Sequence, residues 1–408
     1  MSNTQLLNPL TDAETIWQSY ERKPLPSILK LFGLADSYTF RDVEKAVEEG
    51  KTAIWGGTSW ELPLILACDT IPISLLELWR DDSHQTEAIA EGYFQIPNES
   101  CSMIKTMIGR LHLRKDSEKI KRILAFNAVC EPISIVLELV RQEGYDVHLI
   151  EAVSTFKDRD KTPEVVKFVT NELQKVAIWL TGKPVDEAKL SFEIRRKNEI
   201  SAKLQRILDL RTKTPLDVPG HAVLLLMLGS FSYYGDAAMF SNLLDEIIVD
   251  LEEAIKDPDP RPYIPLVLAG FFLGDYTLYR AVESSHGAIV GWEFGTRDYR
   301  EDVPPLESIA HFLLDSQLAG QYGEMVGAAV QLRKFDIDRI IQETGARGIL
   351  SGNVTGCPYG SIVPQLERLY FKKLGIPYIS LETSVHQDPP TEEQLTRIKA
   401  FVEMLTQS

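Results

Sequence analysis

The feature that most constrains the fold is an alternation of short runs rich in β-branched and aromatic residues with longer stretches of helical periodicity. In the first half the sequence predicts strands at residues 52–55, 71–75, 122–129 and 146–150. In the second half it predicts strands at residues 264–270, 288–292, 348–353 and 378–381. Strands that alternate with helices favour parallel sheets with helices on both faces. The sequence therefore predicts an α/β protein with two similar doubly wound, Rossmann- or flavodoxin-like domains.

A helical region is expected between the two halves. Apolar residues recur there at helical spacing, which predicts one buried stripe: Phe240, Leu243, Leu244, Ile247, Leu251 and Ile255. The proline-rich segment 256–265 (KDPDPRPYIP) must end this helix, because each proline removes a donor and fixes φ. We expect a first α/β domain at residues 1–195, a helical connection at 196–260 and a second α/β domain at 261–408.

Charge and hydropathy exclude some classes of partner. The chain of 408 residues carries a formal net charge of −16, which argues against nucleic acid because phosphate binding needs a clustered positive surface. The first ten residues lack a basic start and an apolar run, and the most apolar stretch, residues 221–235, is too short and mixed to span a bilayer. These patterns predict a cytoplasmic protein without membrane contact.

The four cysteines are the strongest candidates for a site. No CxxC pair occurs, so a shared metal site must be assembled by the fold from distant segments. Cys130 and Cys357 each come shortly after a predicted strand, at the edge where open α/β sheets place ligands, and Cys101 lies in a polar loop before a predicted helix. Inert thiols, a catalytic thiol and metal ligands all remain open. Cys68 lies in the apolar stretch LPLILACDTIPI, where a buried hydrophobic role competes with a role as fourth ligand.

Other polar segments give weaker hypotheses. Thr58, Ser59 and Glu61 follow the first strand and are candidate catalytic residues, while the preceding Gly56-Gly57 could cradle an anion or form a tight turn. The basic run 110–122 (RLHLRKDSEKIKR) could contact the phosphates of a ligand or an acidic protein, or be a solvated helix face. If the two domains face each other with the carboxyl ends of their strands inward, a cleft lies between them. His286 and His386 are weaker candidates near that predicted cleft.

Three separated segments together resemble one family. They are CSMIK through Gly109, the strand that ends in Cys130, and GCPYGSIVPQLERLYFKKLGIPYISLE, followed by the closing QLTRIKAFVEML. In order and spacing they are similar to the cysteine regions of the 2-hydroxyacyl-CoA dehydratase family, which includes benzoyl-CoA reductase subunits. Two departures are visible: the family's adjacent glutamates are reduced to Glu61, and Lys399 replaces a common acid.

The resemblance implies a [4Fe–4S] cluster on Cys101, Cys130 and Cys357 in the cleft between the domains, with Cys68 outside it. It also implies a lyase that eliminates water from a 2-hydroxyacyl-CoA through a ketyl radical, after one-electron activation driven by ATP. The expected partners are a related second subunit (or a second copy), a separate ATP-hydrolysing iron–sulfur activator and the acyl-CoA substrate. A benzoyl-CoA reductase-like subunit and an electron-relay or scaffold subunit are the alternatives.

Overall fold

The computed structural model describes residues 25–74, 83–116, 119–126, 131–151, 160–270, 276–292, 298–318, 329–383, 385 and 390–407. The strands are β1 (Thr52–Trp55), β2 (Thr70–Ile73), β3 (Arg122–Phe126), β4 (Asp146–Ile150), β5 (Ile264–Gly270), β6 (Gly287–Trp292), β7 (Gly348–Val354) and β8 (Tyr378–Thr383). All eight predicted strands are therefore confirmed, with ends that differ by a few residues. The predicted ends at residues 75 and 127–129 lie outside the described residues.

Helices occupy most of the remaining described chain. Those of the first half are α1 (Pro26–Ser37), α2 (Phe40–Glu48), α3 (Leu62–Ala67), α4 (Ser83–Gly92), α5 (Ser102–Leu113), α6 (Glu131–Gln142) and α7 (Pro163–Thr181). The middle holds α8 (Glu187–Arg211), α9 (Gly220–Gly229) and α10 (Ala237–Ala254). The second half holds α11 (Tyr276–Ser284), α12 (Pro305–Leu318), α13 (Ala329–Thr344), α14 (Pro358–Lys373) and α15 (Glu392–Gln407).

The two halves repeat one sheet topology. The described strands form two four-stranded parallel sheets, in the orders β2-β1-β3-β4 and β6-β5-β7-β8. In both sheets the second strand lies on one side of the first strand and the third strand lies on its other side. The strand order therefore reverses between the first and third strands, and open α/β sheets bind ligands at such a point. The predicted pair of doubly wound α/β domains is confirmed. The carboxyl ends of β3 and β7, which lead toward Cys130 and Cys357, occupy equivalent places.

Helices cover both faces of each sheet, because alternate strand residues point to opposite sides. In β1, Ala53 and Trp55 pack with α2, α5 and α6, whereas Ile54 packs with α7 and α12. Helix α12 belongs to the second half of the chain but lies against α7, over the first sheet. The two halves are therefore interlocked.

The central helices complete this connection. Five of the six predicted stripe residues are buried on α10, and Ile255 lies half-buried just after the helix, so this prediction is confirmed. The predicted boundary between residues 195 and 196 falls inside α8. The division into domains therefore stays a prediction. No helix in the described ranges is long and apolar enough to cross a membrane.

Candidate functional site

Cys357 lies where β7 turns into α14. It is the N-cap residue of α14, and its Sγ accepts a hydrogen bond from the N–H of Gly360 (3.3 Å). The preceding Gly356 has φ +74°, and a Cβ at that position would approach the carbonyl oxygen of Ser100 to 2.5 Å. Only glycine therefore allows the loop before Cys357 to lie against the loop before Cys101.

Cys101 is the N-cap residue of α5 in the first half of the chain. The next residue connects the two halves: the N–H of Ser102 donates to the carbonyl of Thr355 (3.0 Å), and its Oγ accepts from the N–H of Val385 (3.4 Å). The Ser102 hydroxyl also bonds to the carboxylate of Glu87. Backbone and side-chain bonds thus hold Cys101 beside the segment that carries Cys357.

The thiols of Cys101 and Cys357 share a hydrogen bond, although 255 residues separate them in the chain. This bond, and burial after it, raise the pKa of the Cys101 thiol. The same bond lowers the pKa of Cys357 to about 6, with help from the N–H groups of Gly360 and Tyr359. The hydrogen bond therefore favours the thiolate at Cys357 with Cys101 as the donor, and the amino end of α14 stabilises that anion.

This donor set fits an iron–sulfur cluster. Two half-buried thiols, one with a lowered pKa, are the soft ligands that such clusters take. The third predicted ligand, Cys130, lies outside the described residues, four positions past the end of β3. Within the described residues no three His, Cys, Asp or Glu side chains form a metal-binding group. The structure therefore brings together two of the three predicted ligands.

Cys68 lies apart from this pair. It follows α3 and precedes the amino end of β2, whereas Cys357 follows the carboxyl end of a strand. Its thiol is buried in the core that covers the α7 face of the first sheet, and burial raises its pKa to about 11. The charged groups that act on it are Asp69 and Lys189. This environment suits the small hydrophobic role predicted for Cys68.

The loop after β1 surrounds a buried carboxyl group. Gly56 and Gly57 have φ +90° and +72°, and a Cβ on Gly56 would come within 2.0 Å of the carbonyl oxygen of Leu124. The glycine pair therefore forms a tight turn against β3. The N–H of Gly57 then donates to a carboxyl oxygen of Glu61, so the group held by this turn is the chain's own side chain.

Glu61 is buried, and its Oε2 has no hydrogen-bond partner. Burial raises the pKa of Glu61 to about 7, although hydrogen bonds from two backbone N–H groups act to lower it. The neighbouring Trp60 packs edge-on against Phe126, the last residue of β3, at a ring distance of 5.2 Å, and its carbonyl accepts from the hydroxyl of Tyr299 (2.6 Å). Trp60 thus holds the loop that carries Glu61 against the strand end that leads to Cys130.

The other two predicted catalytic residues lie in the same loop. Thr58 lines a small, partly open pocket together with Tyr38, Phe40, Ser74 and Phe231. Ser59 is half-buried, and its carbonyl accepts from the N–H of Leu62 (3.1 Å). The loop thus presents a hydroxyl at this pocket and a carboxyl group inside the protein.

Three weaker hypotheses from the sequence remain, for His286, His386 and the basic run 110–122. His286 precedes β6, so it lies at the amino edge of the sheet and not near the cleft; that expectation was wrong because the strand boundary determines the edge. His386 lies outside the described residues. In the basic run, Lys115 pairs with Glu143, Lys119 with Glu48 and Arg122 with Asp146. These ion pairs favour the solvated-face interpretation.

Two residues that position the site, Lys105 and Tyr299, were not identified from the sequence. Lys105, one turn after Cys101, is buried and contacts Glu87 (2.9 Å), Glu91 (2.7 Å) and the carbonyl of Asn98 (2.9 Å). Tyr299 comes from the second half and anchors Trp60. The spacing from Cys101 to Lys105 could have indicated a shared helix, but no local pattern reveals partners from distant segments.

The contact between the two thiols can be tested without a metal. In Cys130→Ser protein freed of metal by a chelator, diamide should oxidise Cys101 and Cys357 to a disulfide, accepting the two electrons and two protons released. Mapping of the denatured, alkylated peptides should show a cross-linked Cys101–Cys357 pair and an alkylated Cys68. If Cys101 and Cys357 are both alkylated, the observed arrangement is contradicted.

Fold and site together define a class: α/β proteins with two repeated parallel sheets and cysteines from both halves meeting past the strand ends. A sequence model of the family described as 2-hydroxyglutaryl-CoA dehydratase, D-component, matches residues 62–405. The chain belongs to this family, which confirms the resemblance. It is thus related to a component of a dehydratase that acts on an acyl-CoA. A search of curated proteins found no match.

Proposed function

We propose that the chain is the iron–sulfur subunit of a lyase that removes water from a 2-hydroxyacyl-CoA to give a 2-enoyl-CoA. The observation that carries the proposal is the contact between Cys101 and Cys357 at the amino ends of α5 and α14. Membership in a dehydratase component family supports the reaction class.

Cys101, Cys357 and Cys130 would hold a [4Fe–4S] cluster. Three thiolates for four irons leave one iron without a protein ligand, the mark of a catalytic metal centre rather than a closed one. When bound, the cluster would supply one-electron chemistry at the substrate's thioester carbonyl. Ser102 and Gly356 serve this centre by keeping the two loops in contact.

Glu61 is proposed as the proton-transfer group. A carboxyl group with a pKa of about 7 exists in both protonation states near neutral pH, which suits a group that accepts a proton from carbon 3 of the acyl chain. Its burial would keep that proton from water. Thr58 and Ser59 are proposed to orient the substrate's hydroxyl group by hydrogen bonds.

Partners are needed for this function. The sequence contains no GxxxxGK[ST] loop, so we propose that a separate iron–sulfur activator hydrolyses ATP to supply the electron. We propose a related second subunit as the stable partner and the cytoplasm as the compartment. The purified chain is expected to show no ATPase activity of its own.

A reconstitution experiment tests the reaction. The chain, its related subunit, the activator, ATP and a set of 2-hydroxyacyl-CoA thioesters are combined without oxygen, and 2-enoyl-CoA is measured by mass spectrometry. Product that requires all three proteins supports the proposal. Absence of product from a complex with full iron content would overturn it.

Spectroscopy separates the alternatives. If one iron is open, a 2-hydroxyacyl-CoA should change the Mössbauer or paramagnetic resonance spectrum of the complex at one iron, and free CoA should not, since it lacks the carbonyl. A response to benzoyl-CoA alone would favour the alternative that the chain is a benzoyl-CoA reductase-like subunit. A spectrum unaffected by all three compounds would favour the relay subunit.

A further inference from the structure

Helix α14 exposes an apolar stripe. Tyr359, Ile362, Leu366 and Leu369 recur every three or four residues along it, and the last three have 63%, 48% and 56% of their surface exposed. Leu374, directly after the helix, is also exposed. The opposite face, with Val363 and Phe371, packs into the core. Large aliphatic side chains at helical spacing on the outer face are typical of a surface that another protein covers.

The charges beside this stripe are of one sign. Arg368, Lys372 and Lys373 are exposed on α14 or its last turn, although the whole chain has a net charge of −16. Within α14, all of which is described, the only acid is Glu367, and it is buried against Arg333 (3.0 Å). The stripe therefore has a basic rim, and α14 itself supplies no exposed acid to neutralise it.

We infer that this α14 stripe binds the other component subunit of the dehydratase, through an apolar patch that has an acidic rim on the partner. The identity of the partner rests on the proposed function. A second copy of this chain that docked through the same stripe would present the same apolar side chains with only further Arg and Lys of α14 around them. An acidic rim supplies the missing countercharges, which raises the association rate and selects the partner.

The position of the stripe links this interface to the site. Tyr359 lies two residues after Cys357, and α14 itself begins at that cysteine. A subunit on the α14 stripe would therefore cover the helix whose amino end stabilises the Cys357 thiolate. Docking there would place the partner next to the cleft and shield the site from solvent.

Variants of the stripe test this inference. The related component is first identified by mass spectrometry as a second family member that copurifies anaerobically with the tagged chain, and it is then purified separately. Binding is measured by calorimetry and light scattering. Leu366→Asp should raise the Kd at least about 100-fold, since it buries an unpaired carboxylate in the interface. Leu395→Asp, at a comparably exposed leucine on α15 (42%), should bind like the wild type.

A charge-reversal variant tests the basic rim of the stripe. Lys372→Glu with Lys373→Glu should slow association and weaken its dependence on ionic strength. Unchanged binding by Leu366→Asp would overturn the inference. The inference would also fail if the wild-type chain formed a homodimer that Leu366→Asp abolishes. Binding of the wild-type chain to anionic vesicles that is lost in Leu366→Asp would likewise overturn it. Iron content separates this test from the proposed function, because Leu366→Asp should retain the cluster in either case.

Discussion

Serine in place of Cys101 or Cys357 is expected to strip or convert the iron–sulfur cluster of anaerobically prepared protein. Each thiolate is a ligand that a hydroxyl group replaces poorly at iron, and each lies at a helix end that favours the anion. The expected loss is most of the iron and the visible absorbance, measured by iron analysis and spectroscopy. Cys130→Ser should behave in the same way if the third ligand is correctly assigned.

Cys68→Ser is the matched control for these variants. The Cys68 thiol is buried in the core on the α7 face of the first sheet, beside Asp69 and Lys189. The cluster content of the Cys68→Ser protein should therefore equal that of the wild type. Equal loss of iron from Cys68→Ser and Cys101→Ser would show that the ligand assignment is wrong. Circular dichroism of each variant distinguishes loss of the cluster from loss of the fold.

Glu61→Gln is expected to lower kcat/KM of the reconstituted enzyme about 100-fold or more. If Glu61 accepts a proton, activity should rise as pH increases through about 7, the pKa to which burial raises this group. The variant should lose that dependence. A wild-type rate with an unchanged pH profile would remove Glu61 from the mechanism.

The same substitution should stabilise the protein above neutral pH. Because the folded pKa of about 7 exceeds the ordinary value of 4.5, the native state holds the proton more tightly than the unfolded state. Stability attributable to this group is complete below pH 4.5 and is lost as pH rises through 7, by roughly 3 kcal/mol. The difference in unfolding free energy between Glu61→Gln and wild type should therefore grow from pH 4.5 to pH 8. A gain of stability with a loss of activity would distinguish a functional carboxyl group from a structural one.

Much of the fold could be predicted because its signals are local. Strand runs such as residues 264–270 and the apolar stripe of α10 follow directly from the periodicity of burial. The repeated order of the two sheets could be expected only in outline, since which strands pair depends on distant segments. The position of α12 over the first sheet could not be predicted, because its apolar face is equally compatible with either sheet.

The site shows the same limit. The sequence indicated Cys101 before a helix and Cys357 just after a strand, but their contact depends on Gly356 lying against Ser100, a close approach between segments more than 250 residues apart. Glu61 was a candidate from its loop position. Its raised pKa follows from burial, which only the packed structure gives. His286 was misplaced because the sequence does not show at which edge of a sheet a turn lies.

Iron and acid-labile sulfide analysis of the wild-type chain, purified without oxygen, tests the central claim most directly. The account predicts a brown protein with about four irons and four sulfides per chain, as one cubane requires. A colourless protein that binds zinc, or no metal, under the same conditions would contradict it.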